Sequence, residues 1–198
     1  MTTPRVNWIL ASASPRRREI LSGLGLKFHV RPSLLPEPPL RAGESPLRYA
    51  TRAAGLKVRE IGRKHEAGIA IGADTIVVVG SRVMGKPASQ VEAAAMLRAL
   101  SGRWHEVITG ICLLDCCNGK KYSAASLSRV HFRRMTAGEI RWYLDKGEYR
   151  DKAGAYAIQG HASLFIDCIE GCYFNIVGFP VATFERLCRR MGIRLTAD

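Results

Sequence analysis

The sequence predicts an α/β fold built on a mixed sheet. Strand-like apolar runs and helical segments intermix along the chain without an internal repeat, and 198 residues at 47% apolar content supply a sizeable core. A chain of this length buries roughly 70% of the surface its unfolded form exposes. Residues 1–198 therefore read as a single domain that needs neither disulfides nor a structural metal to fold.

The first element is a short apolar run over residues 6–11 ending in small side chains, which reads as a buried strand. Ser14 suits an N-cap and Pro15 the first helical position, so the chain turns there from strand to helix. Ile20, Leu21 and Leu24 share one helical face, and Gly25 is a fitting stop. Phe28 and Val30 alternate with polar neighbours as a second strand. Residues 32–46 hold five prolines and no apolar period, which makes them a loop. Ser45-Pro46 opens a helix whose Leu47, Ala50, Ala54, Val58 and Ile61 keep a 3.6-residue period, although Gly55 costs about 1 kcal/mol relative to Ala.

Residues 67–79 form an apolar strand that Gly72-Ala73-Asp74-Thr75 interrupts, and Gly80-Ser81 reads as a tight turn into Val83-Met84. Ser89 and Glu92 are spaced as a capping box, ahead of a helix through Ala93, Met96, Leu97 and Leu100 that Gly102 ends. Residues 104–114 form a strand, Asn118-Gly119 is a hairpin signal, and the partner strand covers about 123–132. Thr136 and Glu139 make a second capping box for a short helix through Ile140 and Tyr143. Residues 164–169 and 173–177 are further strand candidates around Gly171. A last helix over residues 181–191 precedes Gly192.

Lys and Arg number 30 against 17 Asp and Glu, a net charge of +13. The excess is N-terminal: residues 1–66 hold 13 basic and 5 acidic side chains. Such a balance suits nucleic acid, an anionic membrane surface or a small polyanion such as a nucleotide. No apolar run approaches the roughly 18 residues that span a bilayer, and the first residues lack a signal peptide's apolar stretch, so a cytoplasmic protein is expected. The six cysteines show no C-x-x-C spacing and read as reduced, mostly buried thiols. The five histidines show no i, i+4 pair and build no metal site.

Four features are chemically costly. Arg16-Arg17-Arg18 stand in the first turn of a helix, where the partial positive charge disfavours cations by several tenths of a kcal/mol each. Two guanidiniums and free backbone N–H groups at a strand-to-helix turn hold a phosphate chain well, and one of the three arginines fits a solvated face. Asp74 lies inside an apolar run, where a carboxylate is almost never fully buried without a partner. It reads either as a cap of a strand end or turn, or as a metal ligand or general base at a strand terminus facing the arginines.

Gly80-Ser81-Arg82-Val83-Met84-Gly85-Lys86-Pro87 approaches a phosphate-binding loop. Pro87 replaces the hydroxyl that would hold Mg²⁺ and Val83-Met84 reads as strand, so the loop is rejected and Lys86 is kept as a phosphate-facing cation. Finally, the segment from Arg150 to Gly160 ends in Gln159, whose amide can both donate to and accept from a nucleobase edge. A structural turn is the simpler reading of that segment.

Together these segments resemble the Maf-like family of nucleoside triphosphate pyrophosphatases over residues 9–192. The matching motifs are Leu10-Ala11-Ser12-Ala13-Ser14-Pro15-Arg16-Arg17, Gly72-Ala73-Asp74-Thr75, Gly85-Lys86-Pro87, and Met96-Leu97 with Leu100-Ser101-Gly102. Further along come Asp151-Lys152-Ala153-Gly154-Ala155-Tyr156 with Ile158-Gln159-Gly160, and Val177-Gly178-Phe179-Pro180. The Ala-Tyr-x-Ile-Gln-Gly form resembles the branch acting on dTTP and UTP.

The resemblance implies an α/β structure with an elongated mixed central sheet, flanking helices and two lobes around a nucleotide cleft, assembled as a homodimer. It implies hydrolysis between the α and β phosphates, with Asp74 as the proton acceptor that activates water and a divalent cation, Mg²⁺ or Mn²⁺, as cofactor. Arg16, Arg17, Lys57 and Lys86 are implied to hold the triphosphate, with Ser14 beside them. Glu37 is implied as a second acidic group near metal and water, and Arg16, Thr75 and Gln159 as the positions tied to base choice. Attack of water on the α phosphorus builds charge on oxygens that cations and a metal stabilise without covalent catalysis. A carboxylate among cations is a better metal ligand than strong base, so both roles stay open for Asp74.

A second function class also fits the charge, a basic nucleic-acid-binding or cell-division regulator, and the family has been linked with septum formation. The charge lies in no dense run or tail, and no aromatic-rich RNA motif or recognition helix stands out. The sequence thus favours an enzyme whose partner is a nucleotide rather than nucleic acid or a membrane.

Overall fold

A computed structural model describes residues 6–196. In chain order the elements are β1 (Trp8–Leu10), α1 (Pro15–Gly23), β2 (Phe28–Val30), α2 (Pro46–Gly62), β3 (Ile69–Val79), β4 (Arg82–Met84), α3 (Gln90–Leu100), β5 (Trp104–Asp115) and β6 (Lys121–Phe132). Then follow α4 (Ala137–Asp145), 3₁₀ turns at Ala153–Ala155 and His161–Phe165, β7 (Ile166–Glu170), α5 (Tyr173–Val177) and α6 (Val181–Arg190). The strands form one mixed sheet in the order β2-β1-β3-β5-β6-β7, with β4 paired to β3. No helix of the described residues is long and apolar enough to cross a membrane.

The chain makes two compact units, the first from residues through Asp74, Thr109–Ser126 and Gly178 onward, the second from Thr75–Ile108 and Leu127–Val177. In the first unit β1 pairs in parallel with β2 and with β3, Trp8 opposite both Phe28 and Ile69. Side chains then alternate between the two faces of the strands. Trp8, Leu10, Ile69, Ile71, Ile111 and Leu113 pack with Leu21 of α1 and with Phe184 and Leu187 of α6. Ile9, Ala11, Ala70 and Cys112 pack on the other face with Ala54, Val58 and Ile61 of α2.

Two strand glycines let α2 lie directly on that second face. A methyl at Gly110 would meet the Ala50 carbonyl oxygen at 2.2 Å, and one at Gly72 would meet that of Ala54 at 2.6 Å. The expected break at Gly72-Ala73-Asp74-Thr75 is therefore corrected. β3 runs unbroken through it, and the glycine serves close packing rather than interruption.

In the second unit β3 turns back through Gly80, which has φ +57°, into antiparallel β4, with Val78 opposite Val83. The left-handed glycine is what a two-residue hairpin needs, and strand geometry at Val83 and Met84 agrees with rejecting a phosphate-binding loop. Thr136 and Glu139 form the full capping box, each satisfying the other's backbone N–H. The first box is half made: Ser89 accepts from Glu92 N, but Glu92 turns to Ala88 N at 2.7 Å.

The expected strand over residues 173–177 is a correction, because these residues form α5. Asn175 decides it: the amide is buried and donates to the Val107 carbonyl at 2.9 Å and to Ser128 Oγ at 3.0 Å. Helical turn bonds to Cys172 O bring Asn175, Ile176 and Val177 inward together, where a strand would send alternate residues outward. The thiols are all free, as expected, but only Cys112 and Cys188 are buried. Cys117 and Cys168 are exposed on a turn and on the sheet-edge strand β7, so "mostly buried" does not hold.

Candidate active site

The site begins on β3. Asp74 has the strand parity of Ala70 and Gly72, so it points to the face that α2 covers. It stands mid-strand rather than at a strand terminus, between residues 69–71, which pair with β1, and 77–79, which pair with β4. Only 4% of Asp74 is exposed. Its partner is Lys57 of α2, whose Nζ donates to Asp74 Oδ1 at 2.5 Å.

Sequence and packing produce this pair together. Because Gly72 has no side chain, the Ala54–Val58 turn of α2 sits against the strand, and Lys57 in that turn reaches the residue two places further along. The bond is charge-assisted, and each charge offsets the desolvation of the other.

The basic turn of α1 supplies the next group. Arg18 is exposed, whereas Arg16 and Arg17 are half-buried, which matches one arginine on a solvated face and two turned inward. Arg17 donates from Nε to the Gly178 carbonyl at 2.9 Å and from Nη1 to Ser12 Oγ at 3.0 Å. Burial pushes Arg17 down to about 10, opposed by Asp74, reinforced by Arg16 and opposed again by Glu37. At neutral pH it is still a cation. Ser14 occupies the N-cap position without a side-chain cap bond; its backbone N–H donates to Ser12 Oγ at 3.3 Å.

Glu37 is exposed on the proline-rich loop, and that loop is fastened to α2 on both sides of it. Tyr49 Oη donates to the Pro38 carbonyl at 2.9 Å and Arg52 Nη2 to that of Pro39 at 2.9 Å. Glu60 accepts from Ser33 Oγ at 2.6 Å and from Leu34 N at 3.1 Å. Asp74 and Glu37 both act on Arg17 and on Tyr49, and Tyr49 is raised above its ordinary range by burial first and by these two carboxylates next. Within the first unit Lys57 thus contacts Asp74, and Asp74, Arg16 and Glu37 each act electrostatically on Arg17.

Thr75, Lys86 and Gln159 belong to the second unit. Thr75 is half-buried on β3, and Lys86 and Gln159 are exposed. The segments carrying the last two meet, since Gly154 N donates to the Gly85 carbonyl at 3.1 Å. Gly154 is left-handed at φ +66°, and a methyl there would meet Val77 Cγ2 at 2.9 Å, so glycine is required on both counts. Around Gln159, Ala157 N donates to Tyr143 Oη at 3.2 Å and His161 N to Glu148 Oε2 at 2.9 Å. The turn is structural, as its simpler reading has it, and it also presents the Gln159 amide to solvent.

No group of three or more His, Cys, Asp and Glu side chains among the described residues converges to hold a metal. Two carboxylates, Asp74 and Glu37, fit a hard divalent cation of the Mg²⁺ type, which is bound by one or two carboxylates, with phosphate oxygens and water completing its shell. Sequence reasoning missed Ser12, Gly178 and Tyr49 as supports. Ser12 and Gly178 both lie in the motifs quoted from the sequence, but nothing there marks the hydroxyl or the carbonyl as an acceptor for Arg17.

A family model described as "Maf-like protein" matches residues 7–191. A "dTTP/UTP pyrophosphatase" of Syntrophomonas wolfei subsp. wolfei is 42% identical over 186 residues, covering 94% of this chain and 98% of the relative. A protein of the same description from Koribacter versatilis is 46% identical over 185 residues, covering 93% and 94%. A crystal structure of a nucleoside-triphosphatase / dITP/XTP pyrophosphatase from Mycobacterium abscessus shares 16% identity at a TM-score of 0.37, over 66% of this chain and 76% of that one. That likeness is too low to carry an argument.

Proposed function

The chain belongs to the Maf-like protein family, and from that premise we propose that it is a nucleoside triphosphate pyrophosphatase that hydrolyses dTTP and UTP to the monophosphate and pyrophosphate. The observation that carries the reading is the buried Lys57–Asp74 pair, whose carboxylate acts electrostatically on Arg17 of the basic first turn of α1. An acidic group sheltered from solvent stands beside cations suited to a triphosphate.

In this reading Lys57 orients Asp74, with one carboxylate oxygen committed to the ammonium and the other to the reaction. As a triphosphate enters, Lys57 exchanges part of that bond for phosphate oxygens, and Asp74 gains the capacity to accept a proton from the attacking water. Arg16 and Arg17 offset charge on the phosphate chain, Arg17 from a position fixed by Ser12 and Gly178. Asp74 and Glu37 would hold the divalent cation, which supplies Lewis-acid stabilisation of the phosphate oxygens when bound. Phosphate contact by Lys86 and base choice by Thr75 and Gln159 rest on the motif match. The same reading makes the protein a cytoplasmic homodimer.

The test is a panel of nucleoside triphosphates with Mg²⁺ or Mn²⁺, pyrophosphate and single phosphate being detected separately. Pyrophosphate from dTTP and UTP is expected. Stepwise release of single phosphates would overturn the assignment.

A further inference from the structure

Helix α2 carries a second cationic feature that the reaction does not use. At about 100° per residue, Arg48, Arg52, Arg59 and Arg63 fall within about 60° of one another, and Lys57 lies on the far side of the helix. A groove of about 370 Å³ runs along this face, lined by Arg41, Arg48, Arg52, Arg59 and Lys121 without a carboxylate in its lining. A second hollow of about 340 Å³ shares Arg59 and Lys121 and adds Arg63 and Asp115. Glu44 accounts for Arg52, binding Nε and Nη2 at 2.6 Å each. Among the described residues no ion pair engages Arg41, Arg48, Arg59 or Lys121.

This arrangement works against the helix. Arg48 stands in the first turn, where no acidic side chain balances the positive helix end. Arg48–Arg52 and Arg59–Arg63 are like-charge pairs at i, i+4, which is also unfavourable. Gly55 gives up helix propensity in the interior and lies in the groove lining, where a methyl would come within 3.8 Å of Lys121 Nζ. Three local costs converge on one concave surface. A solvated, ion-paired helix face interleaves acids with its bases.

We propose that the groove on the Arg48–Arg59 face of α2 is a second anion site, distinct from the Asp74 site, that binds a short phosphate chain. Its volume is in the small-ligand range. Its lining offers guanidiniums for bidentate phosphate contact, the Lys121 ammonium and the Ser123 hydroxyl, and no aromatic ring on which a base could stack. The ligand is therefore recognised by its phosphates, whether these belong to a nucleotide or to an inorganic oligophosphate. A nucleic-acid strand fits less well for want of stacking partners.

The test is calorimetric titration of the full-length protein with inorganic tripolyphosphate at two salt concentrations. Wild type is expected to show two binding events per chain, one at each site. Arg59→Gln/Lys121→Gln loses one event or weakens it at least tenfold with dTTP turnover unchanged, and Arg59→Lys keeps both. Repeating the titration with dTTP and with pyrophosphate tells the two sources of phosphate apart. Binding that the double variant leaves unchanged, whether wild type shows one event or two, overturns the proposal, and a single event that the double variant loses still places it at the groove. Binding of a single-stranded oligonucleotide through these residues without tripolyphosphate binding also overturns it. Because the titration reads binding at the groove, a failure to hydrolyse dTTP would count against the pyrophosphatase reading alone.

Discussion

Lys57 Nζ lies 2.5 Å from Asp74 Oδ1, and the two residues meet because Gly72 lets helix and strand touch. One helix turn thereby positions the only carboxylate buried among the described residues.

Breaking that pair from the cationic side leaves Asp74 buried without its partner. Lys57→Met is expected to lower stability by about 3 kcal/mol in urea unfolding and dTTP turnover by about 100-fold. Lys57→Arg keeps most of the stability. Equal stability of wild type and Lys57→Met would mean that Asp74 does not depend on Lys57.

The Gly72 contact can be tested separately. Gly72→Ala places a methyl 2.6 Å from the Ala54 carbonyl oxygen and 2.7 Å from Val58 Cγ1. Backbone must shift to admit it, at a cost of about 1–3 kcal/mol. Gly23→Ala, where no atom lies within 4 Å, serves as the control. That variant should be neutral or gain up to about 1 kcal/mol.

Arg17 uses two edges of its guanidinium, toward Gly178 O and Ser12 Oγ. Lysine can reproduce the charge but not the fork. Arg17→Lys is expected to raise KM for dTTP roughly tenfold, the equivalent of one charge-assisted hydrogen bond of about 1.5 kcal/mol, with a smaller change in kcat. Steady-state kinetics read both.

His105 predicts a pH dependence of stability. It is buried, its Nε2 pairs with Tyr156 Oη at 2.9 Å, and burial lowers it from 6.5 to about 4. Between these values the unfolded chain binds a proton that the folded protein refuses. Stability from this group is thus complete above pH 6.5 and declines as pH falls towards 4, by up to about 3 kcal/mol. His105→Gln should flatten the profile in that window, and parallel profiles would contradict the assignment.

Much of the fold was legible because periodicity and caps act locally. Thr136 and Glu139 formed the box their spacing predicts, and Gly80 made its turn. Two misreadings share a cause. Gly72 looked like a strand break and Tyr173–Val177 like a strand because their determinants lie elsewhere in sequence, on Ala54 and Val58 in one case and on Val107 and Ser128 in the other. At the site, the unusual placement of Asp74 and of three arginines was visible as a violation of local preference. The supports at Ser12 and Tyr49, and the fastening of the Glu37 loop to α2, depend on hydroxyls and carbonyls that ordinary surface positions also carry.

The most direct test compares pyrophosphate formation from dTTP by the wild type and by Asp74→Asn, with folding of both verified by circular dichroism and urea unfolding. The account predicts a loss of about 10²–10⁴-fold in the variant, the contribution typical of a positioned general base. A folded Asp74→Asn protein that forms pyrophosphate at the wild-type rate would contradict it.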